Sequence, residues 1–274
     1  MIVAVPAVIS AFVMFWTITE PIRGSTEAAF QEKMRQDIEF SYQGQFSREK
    51  FVALLRIRTN LLAIGQGLPG CLPWGMLLTF LNDYLAQDKG LSISTATSLV
   101  LCIGIGGALG VLGGGVLGQS LYNNRPKYMP LFIGTMTIIG TLPMWYLVKA
   151  DIKTHYIFSF MSALVAGFLS STVGPNVRAM IMNVNEPETR GLALAFQTTL
   201  DDLGKGLGPA VVAMMISSLG RENAFFWATA GWIPCGAMLL MTALTLEGDE
   251  QAMQSRLKAR MSLTDPGSEL EVFD

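Results

Sequence analysis

Charge is scarce in this chain. Aspartate, glutamate, lysine and arginine make up 15% of its 274 residues, where soluble domains carry roughly a quarter. Histidine occurs once and cysteine three times, with no Cys-x-x-Cys pair. That excludes a zinc site of the usual spacing. Cys71, Cys102 and Cys235 lie far apart inside apolar blocks, the setting of small buried hydrophobes. The net charge is -2 and no basic stripe exists, so nucleic-acid binding lacks its electrostatic footprint. A His-Glu-x-x-His metal motif, a Gly-x-Ser-x-Gly nucleophile elbow and a paired membrane aspartate motif are missing as well. An intramembrane enzyme therefore has no support, and no cofactor is implied.

Apolar residues fill the space that charge leaves. They make up 51% of the chain and come in long blocks, at about 2–18, 59–82, 94–118, 129–148, 155–181, 192–218 and 222–246. Each block is near the roughly 20 residues that cross ~30 Å of hydrocarbon. The fold class read from this is all-α: a polytopic membrane bundle of about seven transmembrane helices, with the lipid bilayer as its solvent. The first block has neither a basic n-region nor an Ala-x-Ala-like site leading to a soluble domain, so it reads as a membrane helix and not as a signal peptide. It begins at Met1 with no loop before it, which suggests an upstream part.

Lysine and arginine set the expected orientation. Residues 19–58, the connections near 125 and 190, and the tail carry thirteen of them. The loops near 83–93, 149–154 and 219–221 carry four: Lys89, Lys149, Lys153 and Arg221. The first set, including the C-terminus, is expected to be cytoplasmic, in a membrane the sequence does not specify. In the 19–58 loop, Ala28, Phe30, Met34 and Ile38 have rough helical spacing. This stretch is either an amphipathic helix on the membrane surface or a solvated linker. The tail from residue 247 is polar and is expected to form a short helix that frays.

Three stretches stand out. "GIGGALGVLGGGVLGQS" repeats small residues at Gly106, Gly110, Gly114 and Gly118, a face on which two helix backbones can approach closely. "GQGLPGCLPWG" puts Gln66, two prolines and four glycines inside the second block. Freed backbone at that depth must be buried in protein or line a wet cavity, and broken helices mark binding sites in transporters. Trp74 in this stretch is either a cavity wall or a lipid-facing anchor. "LDDLGKGLGP" puts Asp201, Asp202 and Lys205 near the centre of the sixth block. Each such charge costs about 2.5–3.5 kcal/mol on insertion scales, so the three are expected to face protein or a water-filled cavity. Spacings of four and three also permit an internal ion pair. One lysine pairs well with one aspartate, and the other carboxylate needs a partner, a proton, a cation or a solute. Arg178 reads chiefly as an interface anchor, with a clamp for an anionic solute as the alternative, and His155 as a solvated residue at the outer end of the fifth block.

Taken together, "GQGLPGCLPWGMLLTFLNDYLAQDKGLSISTATSLV", "NVNEPETRGLALAFQTTLDDLGKGLGPAVVAMMISSLG" and the glycine-rich block resemble the C-terminal half of a major facilitator superfamily transporter, of the spinster-like branch. The resemblance runs from residue 1 to about 247. It implies that 1–18 corresponds to the last helix of a first half missing here. It likewise makes 19–58 the cytoplasmic central loop, 59–246 a six-helix half bundle and 247–274 a cytoplasmic tail. The superfamily's loop motif would place an acid where this chain has Gln119 after Gly115, with Arg125 and Lys127 beyond. A relay through that loop is therefore not expected. The function implied is secondary transport of a small organic or lipid-like solute by alternating access, with Gln66, Trp74, Asp201, Asp202 and Lys205 as candidates for the solute or coupling-ion site. The alternative is a non-transporting membrane subunit that binds a partner bundle, either the missing half or a second copy.

Overall fold

The computed structural model describes residues 4–18 and 48–263, which are helical nearly throughout. The amphipathic stretch at 26–40 lies outside them. Helix α1 (Ala4–Thr17) is apolar, shorter than a full crossing, and belongs to a compact unit separate from the helices that follow. The other unit holds α2 (Arg48–Arg56), α3 (Arg58–Gly65), α4 (Gly67–Gln87), α5 (Ile93–Asn124), α6 (Tyr128–Lys149), α7 (Tyr156–Ser171), α8 (Val173–Val184), α9 (Pro187–Leu219), α10 (Arg221–Thr229) and α11 (Trp232–Thr242). It continues into α12 (Leu246–Leu263) as far as Arg256.

Helices α3 and α4 follow on from one another, as do α7 and α8, and α10 and α11, so six long rods form the bundle. Five of them are long and apolar enough to cross a membrane. The sixth, α9, has 33 residues but lies outside that apolar set because the charged stretch sits within it. The rods run past the apolar blocks at several ends: α5 continues to Asn124, and α9 starts at Pro187, ahead of the block at 192. Apolarity marks only the part that meets lipid, whereas a helix continues until a stop signal. The Ser92 hydroxyl accepts from the Thr95 N–H at 3.1 Å and starts α5. Proline occupies the first turn of α9. Gly220, at φ 75°, separates α9 from α10.

Packing is by backbone approach. The main pairs are α5 with α7, α4 with α9, and α6 with both α7 and α11. Gly106, Gly110, Gly114 and Gly118 are buried. A methyl group on them would run into the Leu164 carbonyl, the Phe168 carbonyl, Thr172 and the Asn176 amide in turn. Asn176 spans this seam, its Nδ2 donating to the Gly114 carbonyl at 2.9 Å and to the Thr172 carbonyl at 2.8 Å. A second seam joins α4 to α9. Gly204 and Gly208 lie against the Leu68 and Leu72 carbonyls, while Gly67 meets the Asp201 carboxylate and Gly75 the Lys205 carbonyl.

The second seam solves a problem created by proline. Pro209 has no N–H to give the Lys205 carbonyl, and Pro73 none to give the Pro69 carbonyl. Both are inside helices. Each freed oxygen is covered by a glycine of a neighbouring segment, Gly75 over Lys205 and Gly231 over Pro69. A bare Cα can approach such an oxygen closely enough for a weak C–H···O contact. The break expected around Gln66 is therefore slight: α3 and α4 meet at that one residue, which keeps right-handed helical dihedrals.

Outward-facing apolar residues such as Leu78, Leu112, Val116 and Ile157 are widely exposed, a surface suited to lipid and unsuited to water. The buried core includes Tyr84, Leu99, Met144, Phe225 and Trp232. At one end of the bundle, Arg221 pairs with Asp83 at 2.5 Å and Asp88 at 2.6 Å, and Glu222 with Lys149 at 3.0 Å and Lys89 at 3.2 Å. In the nearby loop the Thr154 hydroxyl holds the Asp151 carboxyl below the usual aspartate range.

The opposite end holds the polar tail, which is better organised than its composition suggests. Helix α12 buries Leu246 and Met253. Asp249 accepts from the backbone N–H of Thr59 at 2.9 Å, so it caps α3 from 190 positions away. The Tyr122 hydroxyl bonds to Glu250, Lys50 pairs with Glu188, and Arg256 pairs with Glu186 at 3.4 Å. Asn60 and Asn185 exchange amide hydrogen bonds at 2.9 and 2.7 Å beneath this layer. Asp249→Ala should lower stability by about 0.5–2 kcal/mol, the cost of a lost cap. Denaturant titration in detergent measures it, and an unchanged midpoint would show that this cap adds nothing to the bundle.

Candidate functional site

A cavity of about 260 Å³ opens among the α3–α4 junction, α4, α5, α6, α7, α8, α9 and α11. That is near the lower end of roughly 300–1,000 Å³ ligand pockets. It lies where the glycine seams and the Gln66 junction bring backbones together while leaving side chains apart.

Gln66 forms one wall. It is buried, donates from Nε2 to the Ala63 carbonyl at 3.1 Å, and accepts from the Cys235 thiol at 3.0 Å. Trp74 is half-buried and lines the cavity, which decides between the two settings the sequence left open. Its ring centroid lies 6.0 Å from that of Trp232, and the buried Trp232 indole donates to the Gly70 carbonyl at 3.0 Å. The indole pair is thus tied to the first turns of α4.

The charged stretch of α9 divides. Asp201 lines the cavity, half-buried. The Gln197 Nε2 donates to its Oδ2 at 2.6 Å, while its Oδ1 and the Gln197 Oε1 are buried without a hydrogen-bond partner. Asp202, one residue on, points elsewhere. Its side chain is 66% exposed, it is absent from the cavity lining, and it pairs with Lys205 at 3.3 Å. Lys205 reaches both that partner and the cavity. One helical step of about 100° is enough to send adjacent carboxylates to different surroundings. Each glycine of the stretch also has its own surroundings: Gly204 and Gly208 lie in the seam, whereas Gly206 faces open space.

The cavity thus gathers Gln66, Trp74, Asp201 and Lys205 and leaves Asp202 aside. It also recruits residues outside the candidate set read from the sequence. Arg178, read as an interface anchor, lines the wall from α8. Gln197 is one turn before Asp201 on the same helix face, a signal the spacing offered and the charges obscured. Cys71 and Cys235, read as buried hydrophobes, also line it. Thr137 and Ser170 face it too, but their hydroxyls are taken by carbonyls of their own helices, at 2.7 Å each. Gln119, in the loop-motif position, bonds only to Asn123, at 2.8 Å on the surface.

The arrangement puts a carboxylate, two cations, two amides and two indoles around one small space inside an apolar bundle. It offers binding and charge compensation. Among the described residues no cluster of three or more histidine, cysteine or acidic side chains is placed to hold a metal. Residues 67–267 match the family model described as Major Facilitator Superfamily. No curated protein matches the chain.

Proposed function

The chain belongs to the major facilitator superfamily of multi-pass membrane transporters, and on that premise we propose that it is a secondary transporter working by alternating access. Its solute is a small organic or lipid-like molecule held in the cavity beside Asp201. We further propose the spinster-like branch, on the resemblance carried by the α4 and α9 stretches and the glycine-rich block. Members of this superfamily move solutes rather than transform them, in keeping with a site built from binding groups. The proposal places residues 19–58 and the C-terminal end in the cytoplasm, where the lysines and arginines concentrate.

One observation carries the reading: a partly buried carboxylate with an unpartnered oxygen faces a cavity between the helices of an apolar bundle. Ionised groups at such depth are costly, and they are characteristic of solute and ion pathways. The glycine seams supply the second requirement. Smooth backbone contacts let helices shift with few side chains to repack.

Gly174 provides a test that needs no knowledge of the solute. It lines the cavity, and a Cβ added there meets nothing within 4 Å, so Gly174→Cys leaves the packing intact. In sealed vesicles, with Cys71, Cys102 and Cys235 replaced by alanine, a membrane-impermeant maleimide should label the introduced thiol from either face. Labelling from one face only would reject alternating access.

A further inference from the structure

We infer that the solute carries a protonated amine received by Gln197 and Asp201, and an anionic group facing Arg178 and Lys205. The inference rests on the transport reading above and names its substrate class. Gln197 is 2% exposed, yet its Oε1 has no donor, and the buried Asp201 Oδ1 four residues on has beside it only the Cys71 thiol, a weak donor outside good hydrogen-bond geometry. The Gln197 Nε2 is already committed to the Asp201 Oδ2. Both remaining atoms are therefore acceptors, and an acceptor buried without a donor is destabilising. Whatever fills this corner must donate.

Counting donors narrows the class. A hydroxyl brings one donor and satisfies one of the two oxygens. An ammonium brings three and satisfies both with one to spare, and its charge strengthens each bond. A bare hard cation seeks about six oxygens. The remaining side-chain amide oxygen on this wall, the Gln66 Oε1, already takes the Cys235 thiol. The indoles of Trp74 and Trp232 on the lining add π surfaces that attract an ammonium. Arg178 and Lys205 line the same space and would repel a solute bearing only a positive charge. A molecule with both charges complements the whole wall.

The test uses the full chain in lipid nanodiscs and three matched probes: phenylalanine with both charges, phenethylamine with the ammonium alone, and 3-phenylpropionate with the carboxylate alone. Binding is read by calorimetry and by the rise in melting temperature. Phenylalanine should bind tightest and 3-phenylpropionate weakest. Asp201→Asn should weaken both amine probes on the order of 10–100-fold with no loss of 3-phenylpropionate binding. Three results would overturn the inference. The carboxylate probe could bind as well as phenylalanine, Asp201→Asn could weaken all three equally, or no probe could bind. Stabilisation by sodium chloride alone, matching that by the amines, would overturn it too, by making the oxygens a metal-ion site. Two-sided labelling of the Gly174→Cys variant with no amine binding would discard the amine and leave transport standing.

Discussion

Gly75→Val should sharply lower the stability of the bundle. A side chain at Gly75 would strike the Lys205 carbonyl, which is backbone and cannot rotate away. Relief requires α4 and α9 to separate, and their contact runs on through Gly67, Gly204 and Gly208. Separation would also uncover the oxygen that Pro209 leaves without its helical donor. Overpacking a tight core costs typically 1–3 kcal/mol, and a rigid backbone target puts this case at about 3 kcal/mol or more. Against a total stability of roughly 5–15 kcal/mol, that is about a fifth to three fifths of the whole margin. Gly206→Ala is the matched control. Gly206 lies on the same helix between Gly204 and Gly208, but a Cβ there meets nothing. It should be neutral or stabilising by about 0.5–1 kcal/mol, since alanine suits a helix better. Monodisperse yield and melting temperature in detergent read both variants. Equal losses at the two positions would refute the seam.

Asp201→Asn should abolish the response of transport to pH, while Asp202→Asn should largely preserve it. The amide keeps the size of the acid and removes its charge. Asp201 faces the cavity with Gln197 bound to one oxygen and none on the other. Around it, Cys71, Arg178 and Lys205 share the same wall. A hydrogen bond to a charged group is worth about 1.5–3 kcal/mol, so the loss should be at least tenfold. Asp202 is mostly exposed and pairs with Lys205. Exposed pairs contribute about 0–1 kcal/mol, and removing this one should shift activity only a few-fold. The readout is the ratio of maleimide labelling from the two faces in the Gly174→Cys background, compared at acidic and neutral pH in vesicles. A parent ratio that moves with pH, an Asp201→Asn ratio that does not, and an Asp202→Asn ratio that does would support the assignment. Equivalence of the two variants would overturn it.

The adjacent carboxylates show where sequence reading stops. Scarce charge in a 200–209 stretch flanked by apolar blocks was enough to mark the place. Side-chain periodicity alone could not tell which acid turned inward, because spacings of three and four place Lys205 beside both. The choice came from α4, whose glycines admit α9 at one rotation and fix which carboxylate meets the cavity. The glycines of the stretch are a similar case. Composition alone did not distinguish them, and contact with α4 divided them into two packing residues and one bystander.

Membrane class, helical fold and the approximate rods were thus legible from the amino acids, because transfer of apolar blocks and charges between water and lipid is a local free energy, summed along the chain. Arg178, Gln197 and the cysteines joined the site only in three dimensions, as did the capping of α3 by Asp249. Those depend on which backbones approach closely and how each helix is rotated. That rotation is a property of pairs of helices, and no single segment contains it.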